Sequence, residues 1–296
     1  MKCLIVGCGY VGLPLAAELV RVGHEVSGLR PNVSAEVELN AAGIRPLIAD
    51  VTKPDELAKL PREFDWVVNC VASRGGNAED YRRIYLQGTR NLIEWLSTAP
   101  PEKFVYTSST SVYGQTDGSL VKETSLTEPL AETAKVLLET EKLLLAAAGE
   151  RKFPAVVLRV AGIYGPARSY WFNQFLKNEA RMDGDGSHFL NMIHRDDVIG
   201  CVIAALKKGR VGEIYNAVDD KPVSQANFFQ WLAEELGRDL PPSVPGNSDE
   251  SRRRGVTNKR VSNRKLKMEL GCQFKYPDFR TGYRMKIAKL GKALKG

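Results

Sequence analysis

The chain has 296 residues, 43% hydrophobic and 26% charged, proportions of a compact globular protein that exclude a disordered or fibrous one. A chain of this length buries roughly 75% of its extended surface, enough for one large domain or two modest ones. The net charge of +7 is uneven: residues 251–296 carry 15 Lys and Arg against 2 Asp and Glu, leaving 27 against 33 in the first 250 residues.

The apolar start Leu4–Val6 stops at a glycine after a few residues, too soon for a secretory leader. No apolar run approaches the roughly 20 residues that span a bilayer. A cytoplasmic protein with no membrane partner is therefore expected. Short β-branched runs predict strands at 2–6, 25–29, 45–48, 66–69, 103–107 and 155–159. Between them, helical spacing of apolar residues marks 11–22, 81–96 and 136–148. Strands alternating with helices build βαβ units and a parallel sheet of six or seven strands. After Gly165-Pro166 the pattern becomes irregular, with helices expected at 171–178, 228–236 and 263–269.

Leu4-Ile5-Val6-Gly7-Cys8-Gly9-Tyr10-Val11-Gly12 sets GxGxxG between a hydrophobic strand and an amphipathic helix. In that context Gly7 allows the tight turn, Gly9 leaves room for a pyrophosphate at the helix N-terminus, and Gly12 permits close packing of helix on strand. The second strand ends in Leu29-Arg30 instead of the acidic residue that would accept bonds from a free ribose 2′-hydroxyl. A guanidinium there suits a 2′-phosphate. NADP is the expected cofactor, with NAD as the alternative; the plain reading of Arg30 is a solvated strand end.

The five cysteines, Cys3, Cys8, Cys70, Cys201 and Cys272, lack CxxC spacing, so neither a metal site nor a redox pair is expected. The basic tail is interleaved with core-like residues such as Leu266, Phe274 and Phe279, so a solvated face is favoured over a site for a phosphate-bearing or acidic small molecule and over a nucleic-acid partner.

Several segments beyond the glycine loop resemble the extended short-chain dehydrogenase/reductase superfamily, which includes nucleotide-sugar epimerases and dehydratases. Asp50-Val51 is placed like that family's adenine-contacting Asp, and Asn69-Cys70-Val71-Ala72 like its turn beside the cofactor. Gly88-Thr89-Arg90-Asn91-Leu92 is similar to its Gly-Thr-x-Asn-Leu segment, and Ser108-Ser109-Thr110-Ser111-Val112-Tyr113-Gly114 to its serine signature, which makes Ser109 the aligned catalytic serine. Ile163-Tyr164-Gly165-Pro166 resembles the segment at the nicotinamide end, His194-Arg195-Asp196-Asp197-Val198 a His-Val-Asp-Asp-Val motif, and Tyr215-Asn216-Ala217 a returning strand.

The resemblance implies a Rossmann-type doubly wound parallel sheet over residues 1–165, with 191–220 returning to it, and a smaller C-terminal substrate domain from 166–190 and 221–296. The basic tail is expected to form the far wall of the cleft between them. Implied cofactor contacts are Gly7, Gly9, Tyr10, Val11, Gly12, Arg30, Asp50, Val51, Cys70, Val71, Ala72 and Lys135; implied catalytic residues are Ser109, Lys135 and Tyr164.

One departure limits the functional reading. The superfamily's Tyr-x-x-x-Lys acid/base pair aligns with Ala131-Glu132-Thr133-Ala134-Lys135, and no tyrosine lies between Tyr113 and Tyr164. General acid/base transfer contributes about 100- to 10,000-fold, so the usual carbinol oxidation is not expected to run well. Tyr164, Tyr113, Ser109, His194 or water could supply the proton to an NADP-linked oxidoreductase or isomerase acting on a nucleotide-sugar or other carbonyl or hydroxyl small molecule. The alternatives are a non-catalytic NADP-binding redox sensor or regulator and a scaffold in which the cofactor is structural. An enzyme is the favoured reading, and a homodimer is left open. Plain readings stand beside these roles: Ser109 bonding its own loop, Tyr113 and Tyr164 as packed aromatics, Asp196 and Asp197 as helix-start residues, and His194 as a structural side chain.

Overall fold

The computed structural model describes residues 1–73, 75–245 and 257–293, with side chains to 288. Its centre is a seven-stranded, all-parallel sheet. The strands are β1 (Lys2–Val6), β2 (Glu25–Arg30), β3 (Arg45–Ile48), β4 (Trp66–Asn69), β5 (Lys103–Ser109), β6 (Ala155–Val160) and β7 (Ile214–Ala217), in the spatial order β7-β6-β5-β4-β1-β2-β3. Helices cover both faces, so the inner strands read as continuous apolar runs; every residue of β6 is buried.

The order reverses between β1 and β4, whose registers pair Cys3 with Trp66 and Val6 with Asn69. Chain leaving the two strands turns to opposite sides and opens a crevice at their carboxyl ends, the usual ligand position in this architecture. Into it run the glycine loop between β1 and α1 (Gly12–Arg21) and the turn after Asn69.

Several elements are longer than local pattern predicts. β5 continues past Thr107 to Ser109, because Ser108 and Ser109 pair with Arg159 and Val160 of β6. The helix expected at 136–148 is α2 (Glu132–Arg151), closed by Lys152 in the left-handed region at φ 55°. The helix at 81–96 starts at Ala78, capped by Asn77, and contains a π-turn at Arg82–Gln87.

Two apolar cores result. The larger surrounds the sheet. The second is aromatic and joins Tyr164, Phe172, Phe175, Phe228, Phe229 and Trp231 to Phe279 and Tyr283. It draws on Tyr170–Leu176, Gln225–Leu236 and a C-terminal helix Phe279–Ala293 that the sequence pattern did not mark. That helix carries Gly282 where a Cβ would meet the Tyr164 hydroxyl at 2.5 Å, so packing against Tyr164 selects a residue that helix propensity disfavours. No helix among the described residues is long and apolar enough to cross a membrane.

Candidate functional site

Steric closeness fixes two of the three loop glycines. Gly7 adopts φ +87°, and a Cβ there would lie 2.6 Å from the Val71 nitrogen. A Cβ at Gly12 would strike the Gly7 carbonyl and the Cys70 sulfur. Gly9 differs: the nearest heavy atom to a Cβ would be the Gly7 carbonyl oxygen at 4.0 Å, so its face is open. The loop is tied by Gly9 N–H to Gly7 O at 2.7 Å and Leu13 N–H to Gly9 O at 2.9 Å. Tyr10 and Val11 thus immediately precede the first turn of α1, where helix amides have no acceptor inside the helix.

Arg30, the last residue of β2, points back onto this loop: Nη1 donates to the Cys8 carbonyl at 2.7 Å and lies 3.5 Å from Glu38 Oε2. The Arg30 side chain is one-fifth exposed and that of Glu38 about half, so the arginine is largely covered while bonded to the loop. Asp50 is partly turned into its own loop, accepting the Thr52 amide at 2.9 Å, while the carbonyl of buried Val51 takes the side-chain amide of Asn91.

After β4, Asn69 accepts from the Val71 amide at 3.4 Å and donates to Thr89 at 3.1 Å. The Cys70 thiol, 3.3–3.4 Å from the carbonyls of Gly7 and Val6, joins the two strand ends; burial pushes its pKa well above the ordinary thiol range. That keeps the thiol neutral and a hydrogen-bond donor. Ala72 beyond it is exposed.

At the far end of the crevice, Ser109 closes β5 and its Oγ accepts the Ser111 amide at 3.2 Å. The hydroxyl proton is not used by that bond. The turn is clamped on both sides. Ser108 donates to Glu141, whose carboxylate is forked by Arg159 at 2.7 Å and 3.0 Å. Arg159 donates at 2.8 Å to the Tyr113 hydroxyl, which itself donates to Asn216 at 2.9 Å. Buried Lys259 donates to the Tyr113 carbonyl at 2.8 Å, and burial pulls its pKa down to about 8. Tyr113 is therefore a structural member of a buried network, with its phenol engaged on both sides.

Lys135 lies toward solvent near the start of α2. Its side chain is half exposed and pairs at 2.6 Å with Glu132 on the outer face of α2, beside Glu139 and Lys142. The inner face is the one carrying Glu141, and the positions four and eight residues earlier are Leu137 and Thr133, both buried. Residues at that spacing share a helix face. The side of α2 that meets the sheet thus presents Thr133 and Leu137, and a sequence offset of two residues, harmless in a strand, turned the lysine outward on a helix.

Tyr164 is almost fully shielded from solvent. It is buried in the aromatic core, stacked on Tyr283 with centroids 4.7 Å apart, and its hydroxyl donates to the Asp278 carbonyl at 3.3 Å. Burial, with nearby Asp219, pushes its pKa far above the ordinary phenol value. His194 caps α3 (Arg195–Lys208) by accepting the Asp196 amide at Nδ1, with burial lowering its pKa to about 4. Asp197 accepts the amides of Lys275 and Tyr276 at 2.7 and 3.0 Å and fastens the tail to α3. The structural readings of His194 and Asp197 are the ones the geometry contains.

Of the polar groups along this crevice, the implied site residues included Tyr10 but not Ser73, Ser111, Arg168 or Arg195. The Tyr10 hydroxyl, Ser73 Oγ and Ser111 Oγ are buried and without a hydrogen-bond partner among the described residues. Two guanidiniums, Arg168 and Arg195, flank the Tyr10 ring at 5.4 and 5.5 Å. Tyr10 and Ser111 had local signals, their places inside the glycine motif and the serine signature. An open face at Gly9, unsatisfied hydroxyls in the loops after β1, β4 and β5, and cations at the glycine loop together fit a polyphosphate ligand with hydroxyl-bearing sugars.

The tail packs into the body of the chain. Arg260–Val261 pairs with Leu120–Val121, Lys265 and Lys267 contact Glu213 and Asp220, and Arg284 contacts Glu235. Arg252, Arg253 and Arg254 of the same basic segment lie outside the described residues.

Comparison with known proteins agrees with this architecture. The chain is 30% identical to Protein YeeZ of Escherichia coli strain K12 over 282 residues, 94% of this chain and 97% of that one. A conserved protein of unknown function from Silicibacter pomeroyi DSS superposes with a TM-score of 0.80 at 27% identity, covering 97% and 98% of the two chains. UDP-glucuronic acid 4-epimerase from Bacillus cereus, solved with UDP-glucuronic acid and NAD, shares the fold with a TM-score of 0.82 at 23% identity over 99% and 100% of the chains. Residues 3–217 match the NAD dependent epimerase/dehydratase family over most of the chain's length, and the protein belongs to that family, within the extended short-chain dehydrogenase/reductase superfamily.

Proposed function

We propose that the chain binds NADP and uses it as an oxidoreductase or isomerase on a nucleotide-sugar or other carbonyl or hydroxyl small molecule, without the family's usual tyrosine. The observation carrying the cofactor reading is the Arg30 guanidinium, held 2.7 Å from the Cys8 carbonyl at the glycine loop. Its remaining donors can fork a 2′-phosphate, which would displace the exposed Glu38 carboxylate at 3.5 Å. Gly7, Gly9 and Gly12 with the amides of Tyr10 and Val11 would hold the diphosphate, Asp50 and Val51 the adenine side, and Cys70, Val71 and Ala72 the sugar beyond it. A bound dinucleotide would supply hydride-transfer chemistry there.

Ser109 is the residue proposed to act on substrate. Accepting the Ser111 amide polarises its hydroxyl, and the free proton can be donated to a substrate oxygen. The Glu141–Arg159–Tyr113 network keeps that turn in place. Ser111, with its buried unpartnered hydroxyl, is a second donor on the same turn. Neither is a general base at neutral pH, so the proton leaves through water or through the substrate itself.

The opposing reading, a non-catalytic NADP-dependent regulator, is favoured by one observation: the inner face of α2 carries Thr133 and Leu137, and both nearby phenols, Tyr113 and Tyr164, are engaged in structure. Titration with NADPH and NADH tests the cofactor. Tighter NADPH binding that Arg30→Ala removes is expected, and equal affinities would end the NADP assignment. Screening carbonyl compounds and nucleotide sugars for change in reduced-nicotinamide absorbance tests the activity. Turnover lost in Ser109→Ala supports the enzyme, and saturable cofactor binding without turnover supports the regulator.

A further inference from the structure

Tyr10, inside the glycine loop, does not face the sheet but turns toward the second half of the chain. Its ring lies against Arg168 and Arg195, whose guanidinium carbons are 5.4 and 5.5 Å from the ring centroid. Arg168 closes a tight hairpin in which Gly165 and Arg168 exchange backbone bonds at 2.8 and 3.2 Å. Within it Gly165 has φ +146° and Ala167 φ +57°, left-handed geometry that an alanine adopts at a cost of about 1–2 kcal/mol. A Cβ at Gly165 would lie 3.1 Å from the Tyr10 hydroxyl and 3.2 Å from His194 Nε2, so the hairpin is pressed directly onto the loop.

Arg195 reaches the same ring from the start of α3. Asp196 neutralises it, with Nε and Nη2 3.0 and 2.9 Å from Oδ1. Arg168 forms no ion pair with a carboxylate among the described residues and is exposed. Two cations therefore converge on the glycine loop with one counter-charge between them. Packing on an aromatic ring orients a guanidinium while leaving its in-plane donors available for a bidentate oxyanion.

We infer that Arg168 and Arg195, seated on Tyr10, form a cationic collar that holds a diphosphate over the glycine loop from the second half of the chain. The inference rests on the dinucleotide reading above. The diphosphate is that of the bound dinucleotide or of a nucleotide-linked substrate; both present the same paired phosphates to the collar. Of the two arginines, Arg195 occupies a position where the resembling motif has valine, so this cation is the chain's own feature. The collar also ties occupancy of the loop to the position of the second half, because both cations come from segments beyond residue 165.

Calorimetric titration of the intact protein separates the outcomes. ADP-ribose carries the diphosphate and lacks both nicotinamide and 2′-phosphate; 2′-AMP carries only the 2′-phosphate; UDP added to protein saturated with NADPH reports the substrate side. Arg168→Gln and Arg195→Gln should each weaken ADP-ribose by about tenfold, with Arg168→Lys partly restoring it and 2′-AMP unchanged. Loss confined to UDP would keep the collar and assign the diphosphate to substrate. Unchanged affinity for both ADP-ribose and UDP in variants of native circular dichroism overturns the collar and leaves the dinucleotide reading standing, as does equal weakening of 2′-AMP. Failure of the unaltered protein to bind ADP-ribose or NADPH would overturn the dinucleotide reading itself, and the collar with it. Arg168 is exposed on its hairpin, so its variant remains informative if Arg195→Gln disturbs the start of α3.

Discussion

The two ends of the crevice are built on different principles. At the glycine loop the backbone itself is the functional surface: Gly7 and Gly12 exist because Val71, Cys70 and the Gly7 carbonyl leave no space for a Cβ, and Gly9 faces open space. At the serine turn the surface is made of side chains, and most are held by one another through Ser108, Glu141, Arg159, Tyr113 and Asn216. Backbone requirements admit few residue solutions, so the binding end keeps a recognisable motif. Side-chain requirements admit many, and at the second end the serine turn is held by its network while Thr133 and Leu137 are buried on the helix face that carries Glu141.

The comparison is most easily broken at the buried ion pair. Glu141→Leu leaves Arg159 buried without its carboxylate and should cost about 3–5 kcal/mol in urea denaturation; a loss below about 1 kcal/mol would mean that the serine turn does not depend on this network. At the opposite end, Gly7→Ala combines left-handed strain with overpacking and should cost about 2–4 kcal/mol. Gly9→Ala sharpens the contrast, since its Cβ meets no atom of the protein closer than 4.0 Å. Its melting temperature should stay close to that of the unaltered chain while NADPH affinity falls at least tenfold. Equal stability losses in the two glycine variants would remove the distinction between packing and ligand-facing glycines.

Between the two ends, His194 joins α3 to the Gly165 hairpin. Its pKa is lowered by burial to about 4, below the usual value of 6.5. The unfolded chain therefore takes up a proton between pH 6.5 and 4 that the folded chain refuses, and stability falls as the pH drops through that window. His194→Asn keeps an N-cap acceptor and should flatten this acid limb by about 1–3 kcal/mol, read from urea midpoints at pH 7 and pH 4.5. An unchanged slope would show that other groups govern the acid side. The smallest effect is expected from Lys135→Ala, which removes an exposed ion pair worth at most about 1 kcal/mol and should leave NADPH binding unaltered. A tenfold loss of cofactor affinity there would restore Lys135 to the cofactor site.

Much of the sheet was legible beforehand because strand signals are local: β-branched runs bounded by turn residues fall where β1 to β6 lie, and the glycine spacing located the crevice. Helix faces were less legible. Lys135 satisfied a motif by sequence count, but at 100° per residue a shift of two positions carries a side chain to the opposite surface. Tyr164 satisfied a longer motif and still lies in the aromatic core, because its fate depends on Tyr283 and Gly282, well over one hundred residues away.

By itself the sequence determined the parallel α/β architecture, the glycine loop, the arginine at the end of β2 and the absence of any tyrosine between Tyr113 and Tyr164, since each is expressed in contiguous residues through sterics, periodicity or residue identity. Tertiary structure alone decided which hydroxyls were spent on the scaffold, which way α2 turned its lysine, and that Arg168 and Arg195 meet on Tyr10. Those outcomes depend on segments distant in the chain being pressed together by core burial, and no local pattern carries that information.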